Sequence, residues 1–206
     1  MHSPAPLPAF ASRIVPVVVI ADVADAVPLA RALLEGGVDV IEVTLRSDAA
    51  LASIAAIARD VPGMTVGAGT VTQAAQVRGV LDAGAAFALS PGFSPALLQA
   101  ACAHGLAFIP GVCTPSEAMQ ARDLGFDLLK FFPAAQSGGV ATLKAWRGPL
   151  PELRFCPTGG VDEANFRHYL EQPNVAMVGG SWLTPEAAIV GRQWGLITEA
   201  ANRVCR

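Results

Sequence analysis

Lysine is nearly missing from this chain. Of 14 basic residues only Lys130 and Lys144 are lysines, and the rest are arginines. One tyrosine and three histidines complete a short supply of polar aromatic and imidazole groups. Charged residues make up 15%, the net charge is −3, and no basic stripe runs along the chain, which argues against a nucleic-acid partner. Four cysteines in 206 residues are too few for a disulfide scaffold. None of Cys102, Cys113, Cys156 and Cys205 has CxxC spacing or a paired histidine, so no zinc site is expected, and reduced, mostly buried thiols are. No apolar run reaches the roughly 20 residues a membrane span needs. Ile14 to Ala21 stops at Asp22, and acids stand where a signal-peptide cleavage site would be. A cytoplasmic location without a membrane partner is expected.

Apolar residues are plentiful, at 52%, which excludes disorder, and the length suits one domain. Residues 1–13, with three prolines between Met1 and Ala11, read as an extended N-terminal tail, and residues 14–206 as one domain. Eight short apolar runs read as strands: Ile14–Ile20, Val38–Leu45, Thr65–Gly69, Phe87–Ser90, Ala107–Pro110, Asp127–Phe132, Arg154–Pro157 and Val175–Val178. Alanine-rich stretches of helical spacing separate them. Gly36-Gly37 ends the first; Ser94 before Pro95, Thr114 before Pro115 and Asp162 before Glu163 look like helix starts. This α/β alternation predicts a compact (β/α)₈ barrel. The alternative is a doubly wound open sheet, but no GxGxxG opens an early helix.

Period two sorts the strand residues onto faces. Ile41, Val43 and Leu45 share one face, to pack on helices; Glu42, Thr44 and Arg46 then point into the barrel. Glu42 and Arg46 could form a structural ion pair, but such pairs are often not stabilising. Lys130 lies in the apolar run Leu128-Leu129-Lys130-Phe131-Phe132. Its ammonium could snorkel out of the barrel end. Held dry, a lysine loses part of its preference for the charged form and becomes a nucleophile toward carbonyls. Glycine pairs follow the last two predicted strands, in Thr158-Gly159-Gly160 and Gly179-Gly180-Ser181. There a phosphate can sit on backbone N–H groups and a helix N-terminus. Gly67-Ala68-Gly69 and Ser90-Pro91-Gly92 each read as turn punctuation when taken alone. His104 and His168 read as helix residues, His2 as tail, and the three tryptophans as packing.

Six stretches together resemble a known family: Glu42-Val43-Thr44-Leu45-Arg46, Gly67-Ala68-Gly69-Thr70-Val71, Ser90-Pro91-Gly92, Lys130-Phe131-Phe132-Pro133-Ala134, Arg154 to Gly160, and Gly179-Gly180-Ser181-Trp182-Leu183. They look like the class I aldolases of 2-keto-3-deoxy-6-phosphogluconate (KDPG) and 2-keto-4-hydroxyglutarate (KHG), in order from Ile14 to Leu183. The resemblance implies a (β/α)₈ barrel, a homotrimer, no metal or organic cofactor, and a phosphorylated keto acid and pyruvate as small-molecule partners. It implies Lys130 as Schiff-base lysine and Glu42 as general acid–base. Arg46 and Thr70 would hold the carboxylate, and Pro91 and Phe132 would shape the pocket. Thr158, Gly159, Gly160, Gly180 and Ser181 would hold the phosphate. A sibling aldolase for the galactonate epimer, a phosphosugar isomerase and a non-catalytic phosphometabolite-binding barrel remain as alternatives.

Overall fold

The computed structural model describes residues 3–205, so Met1 and His2 of the expected tail lie outside the described residues. In chain order the elements are β1 (Ile14–Val18), α1 (Ala26–Glu35), β2 (Val40–Thr44), α2 (Ala50–Asp60), β3 (Thr65–Gly69) and α3 (Gln76–Asp82). Then come β4 (Phe87–Leu89), α4 (Pro95–His104), β5 (Ala107–Ile109), β6 (Gly111–Val112), α5 (Pro115–Asp123) and β7 (Leu128–Phe131). The chain ends with α6 (Gly139–Arg147), β8 (Arg154–Pro157), α7 (Phe166–Leu170), β9 (Val178–Gly180), α8 (Glu186–Val190) and α9 (Trp194–Cys205). All strand pairs are parallel. A curled six-stranded sheet has the order β5-β4-β3-β2-β1-β9, and a three-stranded sheet the order β6-β7-β8.

The expected barrel sheet is thus observed as two sheets; the expected fifth strand ends at Ile109, and a short unexpected strand, β6, follows Pro110. Pro110, between β5 and β6, has no N–H to give a ladder. Its carbonyl instead accepts from Lys130 N at 2.8 Å, and Phe132 N donates to Val112 O at 3.1 Å. Gly111 packs directly on the backbone of Ser90 and Pro91, where a Cβ would collide. The last strand is also displaced from the expected Val175–Val178. Val175 makes only an isolated bridge to Phe155, and regular pairing with β1 starts at Val178. Gly179 and Gly180 belong to β9, opposite Val15 and Pro16 of β1, and a side chain at these positions would run into Thr158 and the Trp182 ring.

Helix starts follow side-chain chemistry in two of the three expected places. Ser94 accepts from Leu97 N at 3.3 Å. Thr114 forms a reciprocal capping box with Glu117. Asp162 does not start a helix: its Oδ1 accepts from Ala164 N and Asn165 N at 2.9 and 3.0 Å, closing a turn. The helix begins only at Phe166. Gly36 ends α1 as expected, and Gly37 follows at φ +92°.

Alternate strand residues build two cores. Ile41, Val43, Ala68, Leu129, Phe131 and Phe155 face the helices. Val15, Val40, Phe87, Leu89, Ala107, Ile109, Cys156 and Met177 line the inner face. Residues 3–12 form no helix or strand, yet Ala5, Leu7 and Phe10 pack against this inner cluster. Phe10 lies 6.0 Å from Phe87 between ring centroids, and the Asp39 carboxylate accepts from Ala11 N and Ser12 N at 2.6 and 2.9 Å. Trp146 packs at 5.3 and 5.6 Å from Phe131 and Phe155, and Trp182 stacks on Phe166 at 5.7 Å. In the described residues no helix is long and apolar enough to cross a membrane.

Candidate active site

The inner face carries one charged pair above its apolar floor. Lys130 Nζ donates to Glu42 Oε1 at 3.0 Å and lies 3.3 Å from Oε2. Glu42 is 1% and Lys130 5% exposed. Strand alternation puts both there: the neighbours Ile41 and Val43, Leu129 and Phe131 are claimed by the helix-facing core, so the charged residues have only the inner side left. The alternative Glu42–Arg46 pair does not form. Arg46 Nε instead donates to Thr44 Oγ1 at 3.1 Å, and Thr44 Oγ1 donates to Val18 O at 2.9 Å. Burying an ammonium and a carboxylate costs several kcal/mol per ion, of which their mutual attraction returns a part, so such a pair adds little to stability. Its retention points to chemistry.

Room for the pair comes from glycine. Glu42 lies opposite Gly67 and Thr44 opposite Gly69 in the β2–β3 register. A Cβ on Gly69 would collide with the Glu42 carboxyl, and one on Gly67 with the Phe87 ring. These glycines are therefore space for side chains, not turn punctuation. Gly69→Ala should destabilise by about 1–3 kcal/mol through overpacking. By displacing Glu42 it should also lower turnover by roughly 10²-fold. Turnover above half of wild type would show that Glu42 needs no such room.

Cys156 forms part of the floor. It is the register partner of Lys130 and is fully buried. Burial pushes its thiol up to about 12; the nearby Lys130 charge opposes this and Glu42 adds to it. Thr158 Oγ1 lies 3.3 Å from Cys156 O, to which it donates, and 3.8 Å from its Sγ. The expectation of mostly buried thiols is corrected: Cys113 and Cys205 are exposed and Cys102 is half-buried. Cys113 lies just before the α5 cap, and Cys205 is the last residue of α9. Alkylation at pH 8 followed by peptide mass mapping should label Cys113 and Cys205 and leave Cys156 untouched until unfolding, since it is fully buried and burial keeps its thiol protonated. Native-state labelling of Cys156 would contradict a sealed floor.

The remaining expected residues gather at strand C-terminal ends. Thr70 follows β3 at φ +59°, a left-handed conformation unusual for a β-branched residue and costing of order 1–3 kcal/mol. Hydrogen bonds on either side fix it there, from Leu45 N to Gly69 O at 2.9 Å and from Val71 N to Leu89 O at 3.1 Å. Pro91 follows β4 and lies against Gly111. The Phe132 ring centroid is 5.6 Å from Lys130 Nζ. Gly159 and Gly160 both take positive φ, at +93° and +73°. A Cβ at Gly159 would stand 3.2 Å from the Phe132 ring. The Thr158–Gly179 bridge sets the two glycine loops side by side. Ser181 and Arg46 line one cavity of about 630 Å³, together with Val17, Val19 and residues of the α8 segment. One detail differs from expectation. The glycine loops do not abut helix starts: α7 begins at Phe166 and α8 at Glu186, so any anion at these loops meets glycine backbone and Ser181, not a helix N-terminus.

The comparisons with known proteins agree with this geometry. The family model for KDPG and KHG aldolase matches residues 10–200. The 2-dehydro-3-deoxy-phosphogluconate aldolase of Pseudoalteromonas atlantica is 52% identical over 190 residues, covering 92% of this chain and 88% of that one. The KHG/KDPG aldolase of Escherichia coli is 48% identical over 189 residues, covering 92% and 89%. A solved structure of KDPG aldolase from Legionella pneumophila, with pyruvate captured at low pH as a covalent carbinolamine intermediate, superposes with a TM-score of 0.92 at 46% identity. It covers 94% of both chains.

A parallel α/β fold with a buried lysine against a carboxylate, together with these relatives, places the chain among the Schiff-base lyases. Within that class, this chain belongs to the KDPG and KHG aldolase family.

Proposed function

We propose that this protein cleaves KDPG to pyruvate and glyceraldehyde 3-phosphate, and 4-hydroxy-2-oxoglutarate to pyruvate and glyoxylate, with Lys130 and Glu42 as the reacting groups. The observation that carries the reading is the Lys130–Glu42 contact at 3.0 Å in a site closed to solvent from below. For attack, the Lys130 ammonium gives up a proton, for which the Glu42 carboxylate is the nearest acceptor. The amine lone pair then adds to the C2 ketone of the keto acid to form a carbinolamine. Glu42 returns its proton to the carbinolamine hydroxyl, which leaves as water, giving a protonated imine and a free carboxylate. A base, Glu42 acting through a water, removes the C4 hydroxyl proton. The C3–C4 electron pair then moves into the iminium, the aldehyde leaves, and an enamine remains. Reprotonation of C3 and hydrolysis release pyruvate and the free lysine. The imine is the electron sink, so the reaction as written calls on no metal or organic cofactor.

Arg46, fixed at Nε by Thr44, is left with its terminal nitrogens to clamp the pyruvyl carboxylate, where a guanidinium fork suits a planar anion. Thr70 supports the same carboxylate, while Pro91 and Phe132 wall the pocket. Thr158, Gly159, Gly160, Gly180 and Ser181 take the phosphate. The two sheets are read as arcs of one closed (β/α)₈ barrel, a reading supported by the Thr158–Gly179 bridge and the Lys130 N to Pro110 O bond. A single domain over 14–206, a homotrimer and a cytoplasmic location complete the proposal. Turnover of KDPG against its galactonate epimer, followed by pyruvate release, tests the substrate. KDPG should be preferred by at least tenfold in kcat/KM; a preference for the galactonate epimer would move the enzyme to the sibling activity.

A further inference from the structure

The cavity shared by Arg46 and Ser181 has a far wall that the reaction does not use. It is built from the turn after β1, carrying Asp22 and Asp25, and from α8 with its following loop, carrying Glu186 and Arg192. Asp25 is only 8% exposed, and its Oδ1 accepts from Arg192 Nε at 2.9 Å. Asp22 caps the turn by accepting from Ala24 N at 3.0 Å, and its other oxygen lies 3.5 Å from Arg192 Nη2.

Arg192 makes these contacts from a φ of +51°, a left-handed conformation that glycine adopts without cost and arginine does not. Bonds from Arg192 N to Ile189 O and from Gln193 N to Ala188 O, at 2.9 and 2.8 Å, hold the backbone there. Strain of this kind, retained beside a ligand cavity, is a pointer to function. Charge supplies the second pointer. Three carboxylates line the cavity, Asp22, Asp25 and Glu186, against two guanidiniums, Arg46 and Arg192. Without Arg192 the three would face Arg46 alone, in a cavity whose wall includes Ser181, one of the residues read as holding the phosphate.

We propose that Arg192 is a specificity-determining residue for the phosphorylated aldehyde half: by neutralising Asp22 and Asp25 it keeps this wall from repelling the phosphate. The proposal rests on the aldolase reading. Arg192 does no bond-making; it acts through the two aspartates. Across water, with its high dielectric, losing one unit charge that faces a dianion changes binding by roughly three- to tenfold.

The test is aldol addition of pyruvate to glyceraldehyde 3-phosphate and, separately, to unphosphorylated glyceraldehyde. Arg192→Gly relieves the backbone strain but leaves the buried Asp25 carboxylate without its partner, so a thermal melt first establishes that the variant is folded at the assay temperature. It should raise KM for glyceraldehyde 3-phosphate about three- to tenfold, leave KM for glyceraldehyde and both kcat values unchanged, and lose part of the effect at high salt. Arg192→Lys, which keeps the charge, should stay near wild type. Adding Asp25→Asn to Arg192→Gly should bring KM for the phosphorylated aldehyde back toward wild type, an outcome no loss of packing would produce. An unchanged ratio of the two KM values in Arg192→Gly, or no recovery in the double variant, would overturn the proposal. If wild type forms no borohydride-stable pyruvate adduct, the aldolase reading itself fails; if it forms one and the KM ratio does not move, only the role of Arg192 fails.

Discussion

Lys130→Ala is expected to form no covalent adduct with pyruvate and to show no turnover above background. No second amine can substitute: the one other lysine, Lys144, is on α6, outside the inner face. The variant also leaves Glu42 buried without its partner, which costs about 3–5 kcal/mol. Loss of activity must therefore be separated from loss of fold. Lys130→Arg does this, because arginine keeps a positive charge for Glu42 yet cannot form an imine at neutral pH. Both variants should be inactive, with Lys130→Arg the more stable in a denaturant melt. Measurable cleavage by a folded Lys130→Arg enzyme would contradict imine chemistry at this position.

Glu42→Gln should still form some pyruvate imine but lose roughly 10²–10⁴-fold in cleavage rate, the usual worth of a positioned acid–base group. Glutamine keeps the shape that fits over Gly69, so the inner face should not repack. In the proposed mechanism it removes the proton acceptor for Lys130 Nζ and for the C4 hydroxyl. Single-turnover measurements separate the two steps: adduct formation should slow less than C3–C4 cleavage. Near-wild-type turnover in Glu42→Gln would place the acid–base role elsewhere.

Much of the site was legible from alternation alone. A glutamate on the second strand and a lysine on the strand after α5 each fall on the face opposite a row of branched apolar residues, and the structure joins them. What alternation could not show is why neighbouring positions are glycine. Gly67 and Gly69 look like a turn because a sequence does not reveal a carboxylate or a ring arriving from another strand. The same blindness placed Gly179 and Gly180 after the last strand instead of within it, since their constraint comes from Thr158 and Trp182. Pro110 could have been read as a break, because proline cannot serve a central ladder, but the run Ala107–Pro110 looked continuous in hydropathy. Asp162 shows the limit of cap signals: the same side chain that starts a helix can close a turn three residues earlier. The packing of Phe10 on Phe87 and the reach of Arg192 to Asp25, 167 residues away, have no local signature at all.

The most direct measurement is pyruvate with sodium borohydride on the intact enzyme, read by mass and mapped to a peptide. One adduct per chain, on Lys130 and absent after Lys130→Arg, is the expected result. A folded enzyme that gains no mass, or gains it on Lys144, would contradict a Schiff base formed on the buried lysine.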